Sequence, residues 1–112
     1  MVRENLIKLV DYFFGGNVFL ESTKLPEETP LEYCTFWNFS SDTMRFNNKV
    51  NAIQWGYNIK LYCKSPVRLE ELKTKILETL ESNGYIADGR GYDFASPDRV
   101  CWTCDFYFLE EL

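Results

Sequence analysis

The sequence predicts one α+β domain, a mainly antiparallel sheet of four or five strands with two helices packed on it. Three observations carry that prediction. Ile53, Trp55, Tyr57, Ile59, Leu61 and Cys63 fall on one side of a period-2 ribbon, opposite Ala52, Gln54, Gly56, Asn58 and Lys60. That is the pattern of a strand with one face in a core and one face wet. Leu69, Leu72, Ile76 and Leu80 then share one helical stripe. Alternation returns at Val100, Trp102, Cys104, Phe106 and Phe108. A chain of 112 residues favours one domain. A domain of this size buries roughly two-thirds of the surface its unfolded chain exposes, and needs no disulfide or metal to fold.

In chain order, residues 2–14 read as a helix, with Leu6, Leu9, Val10 and Phe13 inward and Arg3, Glu4, Lys8 and Asp11 in water. Gly15-Gly16 ends it. Residues 17–20 are a short strand, and 21–30 an acidic loop bracketed by Pro26 and Pro30. Residues 31–39 form the next strand, with aromatics on both faces, as if covered on both sides. Residues 40–48 are polar and read as a loop of about ten residues, with Asn47-Asn48 as turn formers. Loops that long are often functional. The long strand covers 50–63, and Gly56 within it signals a bulge or the close approach of another backbone. Ser65 caps the second helix and Pro66 opens its first turn. Glu70 and Glu71 suit the N-terminal end of its dipole. Asn83-Gly84 ends it. Residues 85–87 are a short strand, 88–91 a tight turn or hairpin tip, 92–98 another short strand, and 99–109 the closing strand.

Several kinds of chemistry are argued against. There is no His, the usual general acid–base at neutral pH. The adjacent pairs Glu27-Glu28, Glu70-Glu71 and Glu110-Glu111 lie in a loop, a helix start and the terminus, where solvated charge is the simpler account. Cys101 and Cys104 have C-x-x-C spacing, but residues three apart in a strand point to opposite faces. No helix follows to lower a thiol pKa. Cys34 and Cys63 are single and distant, so four reduced thiols are expected, with no metal and no cofactor. Asp88-x-Arg90-x-x-Asp93 lacks the Lys and Ser/Thr of a phosphate loop.

Net charge is −5, which argues against wholesale nucleic-acid binding. Between residues 43 and 68 there are five bases (Arg45, Lys49, Lys60, Lys64, Arg68) and no acid, leaving seven of the 12 bases and all 17 acids elsewhere. Such asymmetry orients a protein against a complementary partner; it also arises by chance. Nine Phe, seven Tyr and three Trp serve either a partner surface or a strand-rich core. Stacking of single-stranded nucleic acid on Phe46, Trp55, Tyr57 and Tyr62 beside Lys60 is opposed by the alternation, which turns Trp55 and Tyr57 inward. The start Met1-Val2-Arg3-Glu4-Asn5 is polar, and no apolar run nears the roughly 18 residues of a membrane span. The expectation is a soluble protein that begins in a cytoplasm and contacts no membrane.

Three segments carry a family likeness. Arg45-Phe46-Asn47-Asn48-Lys49-Val50 resembles an "A-D-N-K-V" entry to a long strand, and residues 55–62 resemble a "Y-x-I-x-L-Y" strand. A helix with paired Glu and Leu, a Gly and a closing strand ending in Phe106-Tyr107-Phe108 complete the likeness. Over residues 30–109 the chain resembles the small tail-terminator or tail-completion proteins of long-tailed phages and prophages, especially those of Gram-positive hosts. It departs from them at Arg45-Phe46, where the pattern has Ala-Asp. It departs again at 88–91 and 96–98, where relatives are more acidic, which leaves terminator, neck ring or another completion factor open. The resemblance implies a non-enzymatic virion protein, assembled in the bacterial cytoplasm as a ring, often a hexamer. The ring would end the tail tube, and its partners would be itself, the tube protein and the head-connector or neck protein. Arg45, Asn47, Asn48, Lys49 and Arg90 are the candidate interface residues, by loop position and charge. The competing reading is a small cytoplasmic ligand- or peptide-binding module with an aromatic surface.

Overall fold

The computed structural model describes residues 2–21 and 23–112. Met1 and Ser22, which the sequence puts in the polar start and the acidic loop, lie outside the described residues. The elements are α1 (Val2–Asp11), β1 (Val18–Leu20), β2 (Tyr33–Phe46), β3 (Lys49–Cys63), α2 (Pro66–Ser82), β4 (Ile86–Ala87), β5 (Tyr92–Ser96) and β6 (Arg99–Glu111). The fold is α+β with a mainly antiparallel sheet, and β1 beside β2 is its parallel pair. The order runs β1-β2-β3-β6, and β6 carries β4 and β5 one after the other along its remaining edge. Six strands thus make five rows.

Both helices cover one face. The α2 stripe Leu69, Leu72, Ile76 and Leu80 and the α1 residues Val2, Leu6 and Val10 are buried. They pack on Cys34, Phe36, Tyr57, Ile59, Leu61, Cys63, Trp102, Cys104 and Phe106. Each fully buried aliphatic or aromatic side chain contributes about 1.5–3 kcal/mol. Ser65 Oγ accepts the Arg68 N–H at 3.4 Å, which satisfies one orphan donor of the first turn. Helix α1 stops at Asp11, three residues short of the expected end. Residues 12–16 turn instead, and the Asp11 carboxylate accepts the Gly16 N–H.

One expectation is overturned and another is narrowed. Residues 40–48 are not a loop, because β2 runs to Phe46 and pairs with β3 down to Phe46↔Lys49. A two-residue turn at Asn47-Asn48 closes this hairpin, with φ of 52° and 62°. Two successive left-handed residues match the twist of the flanking strands, and Asn adopts them more readily than most residues. The period was hidden because both faces of this segment are wet. Of the two readings of residues 88–91, the tight turn is observed and the hairpin tip is not. Strands β4 and β5 are both antiparallel to β6, so the chain steps outward at 88–91 and resumes along the same edge. There the Asp88 N–H donates to the Asp105 carbonyl at 2.8 Å, and Trp102 Nε1 donates to the Arg90 carbonyl at 3.1 Å.

Candidate protein interface

The β2–β3 hairpin outruns the helices. The first four residues of β2 are buried, and its exposure then rises until every residue from Ser41 to Phe46 is exposed. With the end of β6, which pairs Glu111 with Ala52, it forms an arm. Past Phe36 the outer edge of β2 has no strand beside it among the described residues, since β1 pairs only with Cys34, Thr35 and Phe36. Such an edge is a template for association unless bulges or charges blunt it. Here a bulge lies between Asn38 and Ser40. The Asn38 side chain holds it, donating to the Ser40 carbonyl at 2.9 Å and the Gly56 carbonyl at 3.0 Å. The bulge lays the Phe39 ring over Gly56, where any Cβ would lie 2.8 Å from it. This is the close approach that Gly56 signalled, made by a ring rather than a backbone. Phe39 then meets Tyr107 edge-on at 5.7 Å.

The face turned away from the helices carries an aromatic row. Tyr33 stacks on Tyr62 at 4.4 Å, Phe94 meets Tyr62 edge-on at 5.9 Å, and Phe19 lies 6.3 Å from Tyr33. Burial raises the phenol pKa of both Tyr33 and Tyr62. The Arg99 guanidinium sits 5.9 Å from the Tyr33 ring centre. It donates to the Pro30 carbonyl at 2.8 Å and to the Asp98 carboxylate at 2.6 Å, which ties the loop before β2 to β6. Trp37, Phe39, Met44 and Leu109 remain exposed toward and along the arm. The aromatics on both faces of β2 suggested cover on both sides, but only the Cys34 and Phe36 face is covered by the helices, and the other, with Trp37 and Phe39 exposed, supplies this surface.

Of the five sequence candidates, Arg45, Asn47, Asn48 and Lys49 come together at the arm's tip, exposed and without an ion pair among the described residues. Phe46 stands among them at 71% exposure, and charge-based reasoning passed it over. Arg90 is elsewhere, on the step between β4 and β5, and pairs with Glu81 of α2 at 2.6 Å. Asp93 of the same motif pairs with Lys73 at 3.3 Å. The other bases of the 43–68 stretch each lie beside an acid: Lys60 by Glu21, Arg68 by Glu32 at 2.8 Å, and Lys64 3.9 Å from Asp98, which it shares with Arg99. The two cations of the sequence's basic stretch that lie beside no acid among the described residues, Arg45 and Lys49, are therefore both at the tip.

Four free thiols are buried, and burial pushes Cys63 and Cys104 up to about 11. Cys104 faces the helices, while Cys101 lies near Ser96 at the edge. Among the described residues no group of three or more His, Cys, Asp or Glu is placed to hold a metal. No described helix is long and apolar enough to cross a membrane. No protein-family model matches the chain, and no curated protein is found to match it.

Proposed function

We propose that this protein is a structural tail-completion protein of a long-tailed phage or prophage. In this reading it acts as the terminator that assembles as a ring, ends the tail tube and presents a face to the head connector. The observation that carries the reading is the arm. A hairpin of 14- and 15-residue strands leaves the helix-covered core and offers apolar and basic side chains with no function inside the monomer. Contact between copies, rather than bond chemistry, is the use that fits such a feature. The resemblance of residues 30–109 to tail-terminator proteins supplies the setting: assembly in the host cytoplasm, residence in the virion tail, and the tube and neck proteins as neighbours.

Particles made without this protein, viewed by electron microscopy, test the proposal. Overlong or unjoined tails are the expected result. Tails of normal length attached to heads refute it.

A further inference from the structure

We propose that copies of this chain assemble head to tail, with the arm tip of one copy seated in the groove at the opposite end of the next. This rests on the ring reading and gives it a contact. The tip is an aromatic knob, Phe46, flanked by the unpaired cations Arg45 and Lys49. The groove, of about 420 Å³, is bounded by Phe13, Phe14, Pro30 and Leu31, and it opens beside Lys64 and Ser65 at the start of α2. That volume is in the range of small-ligand clefts, so an aromatic ring fits. Leu31 is 69% exposed there, an apolar side chain without cover.

The two features lie at opposite ends. Strand β2 begins beside the groove and ends at the tip, and its 14 residues span about 45 Å at ~3.3 Å per residue. The whole molecule is 51 Å long. A contact between opposite ends is heterologous, so it propagates from copy to copy and closes as a ring when the rotation allows. Charge selects the occupant. The chain segment leading to the groove, residues 21–32, holds four acids and one base. Glu21 and Glu32 are neutralised by Lys60 and Arg68, but Glu27 and Glu28 are exposed and make no ion pair among the described residues. Lys64, the groove's own cation, lies 3.9 Å from the Asp98 carboxylate, which Arg99 holds more closely at 2.6 Å. Among the described residues the unpaired charges of that segment are Glu27 and Glu28 against Lys24, a net negative sign, and those of the arm end are Arg45 and Lys49 against Asp42, a net positive one, so the two ends are complementary in sign. Rim charges of this kind steer and orient docking around an apolar anchor.

Two measurements test the contact. In the first, Met44→Cys and Thr29→Cys, exposed positions two residues from Phe46 and from Leu31 that leave the knob and the groove intact, are introduced singly and together, and a bismaleimide is added at protein concentrations up to millimolar. The native thiols are buried, so the engineered pair reacts. The double variant is expected to give a covalent ladder beyond the dimer, which neither single variant can. A double variant that stops at the dimer or stays monomeric overturns the proposal. In the second, native mass spectrometry follows Arg45→Glu/Lys49→Glu and Glu27→Lys/Glu28→Lys. Each is expected to weaken association at least tenfold alone, and an equal mixture to restore it, because every tip then meets a rim of opposite sign. No restoration on mixing overturns the charge assignment. A missing ladder alongside overlong tails in particles lacking the protein refutes this contact and leaves the terminator reading standing. A ladder alongside normal tails does the reverse.

Discussion

Gly89 and Gly91 allow a paired substitution in which backbone strain cancels. Both have φ of 71°, in the left-handed region. Adding a Cβ there costs about 1–2 kcal/mol, offset by about 0.4–1 kcal/mol because alanine restricts the unfolded chain. These terms are the same for Gly89→Ala and Gly91→Ala. The surroundings differ. A Cβ at Gly89 meets nothing within 4 Å, whereas at Gly91 it collides with the Thr103 backbone carbonyl and lies 2.8 Å from the buried Trp102 ring. Overpacking of this kind costs about 1–3 kcal/mol, and the upper half of that range is expected because a backbone oxygen inside a strand pair has no room to yield. Gly89→Ala should therefore lose at most about 1.6 kcal/mol, and Gly91→Ala about 2–3 kcal/mol more. At roughly 4 °C per kcal/mol, the melting temperatures should differ by about 8–12 °C. Urea unfolding followed by Trp fluorescence gives the free-energy difference directly, with equal slopes showing that the unfolded states match. Two variants within about 0.5 kcal/mol of each other would refute the placement of the 88–91 step against β6.

The buried thiols make stability depend on alkaline pH. Cys63 and Cys104 have an ordinary value of 9.0, raised to about 11 by burial, and burial likewise raises Tyr85 to about 12. A raised acid pKa means that the folded state holds protons the unfolded state releases. The stabilisation is complete below pH 9 and is lost as pH rises toward 11, which a series of urea titrations across that window should show. At pH 8 the native protein should react with a thiol reagent only as fast as it unfolds, and four fast-reacting thiols would contradict the burial. Arg99→Met should cost about 1–3 kcal/mol, since it leaves the Pro30 carbonyl without its donor. Limited proteolysis should then cut within residues 21–32 faster than in the parent protein.

The alternation from Ile53 to Cys63 and from Val100 to Phe108, and the stripe Leu69, Leu72, Ile76, Leu80, were readable along the chain because each face sees one environment. One-sided burial imposes a single period, and so the fold class follows from these segments. The tip residues Arg45, Asn47, Asn48 and Lys49 were picked for charge and turn chemistry, and the structure brings those four together. Phe46, which the sequence offers only as a stacking platform for nucleic acid, falls outside that charge-based set because an exposed aromatic at a hairpin end leaves no periodic mark. Arg90 was grouped with them on charge, but a step in the chain holds it against Glu81.

Local sequence alone thus determined the helices, the core-lining strands and the Asn47-Asn48 reversal, because each depends on side-chain spacing or on a backbone preference within a few residues. Only the tertiary structure decided that residues 40–46 are strand, since a ribbon wet on both faces is held by hydrogen bonds to Lys49–Gly56 rather than by its own pattern. It alone also decided which charges stay free and put the knob and the groove at opposite ends of one long strand pair. Ion pairing and end-to-end distance arise between segments far apart in the chain, where no reading of neighbours reaches.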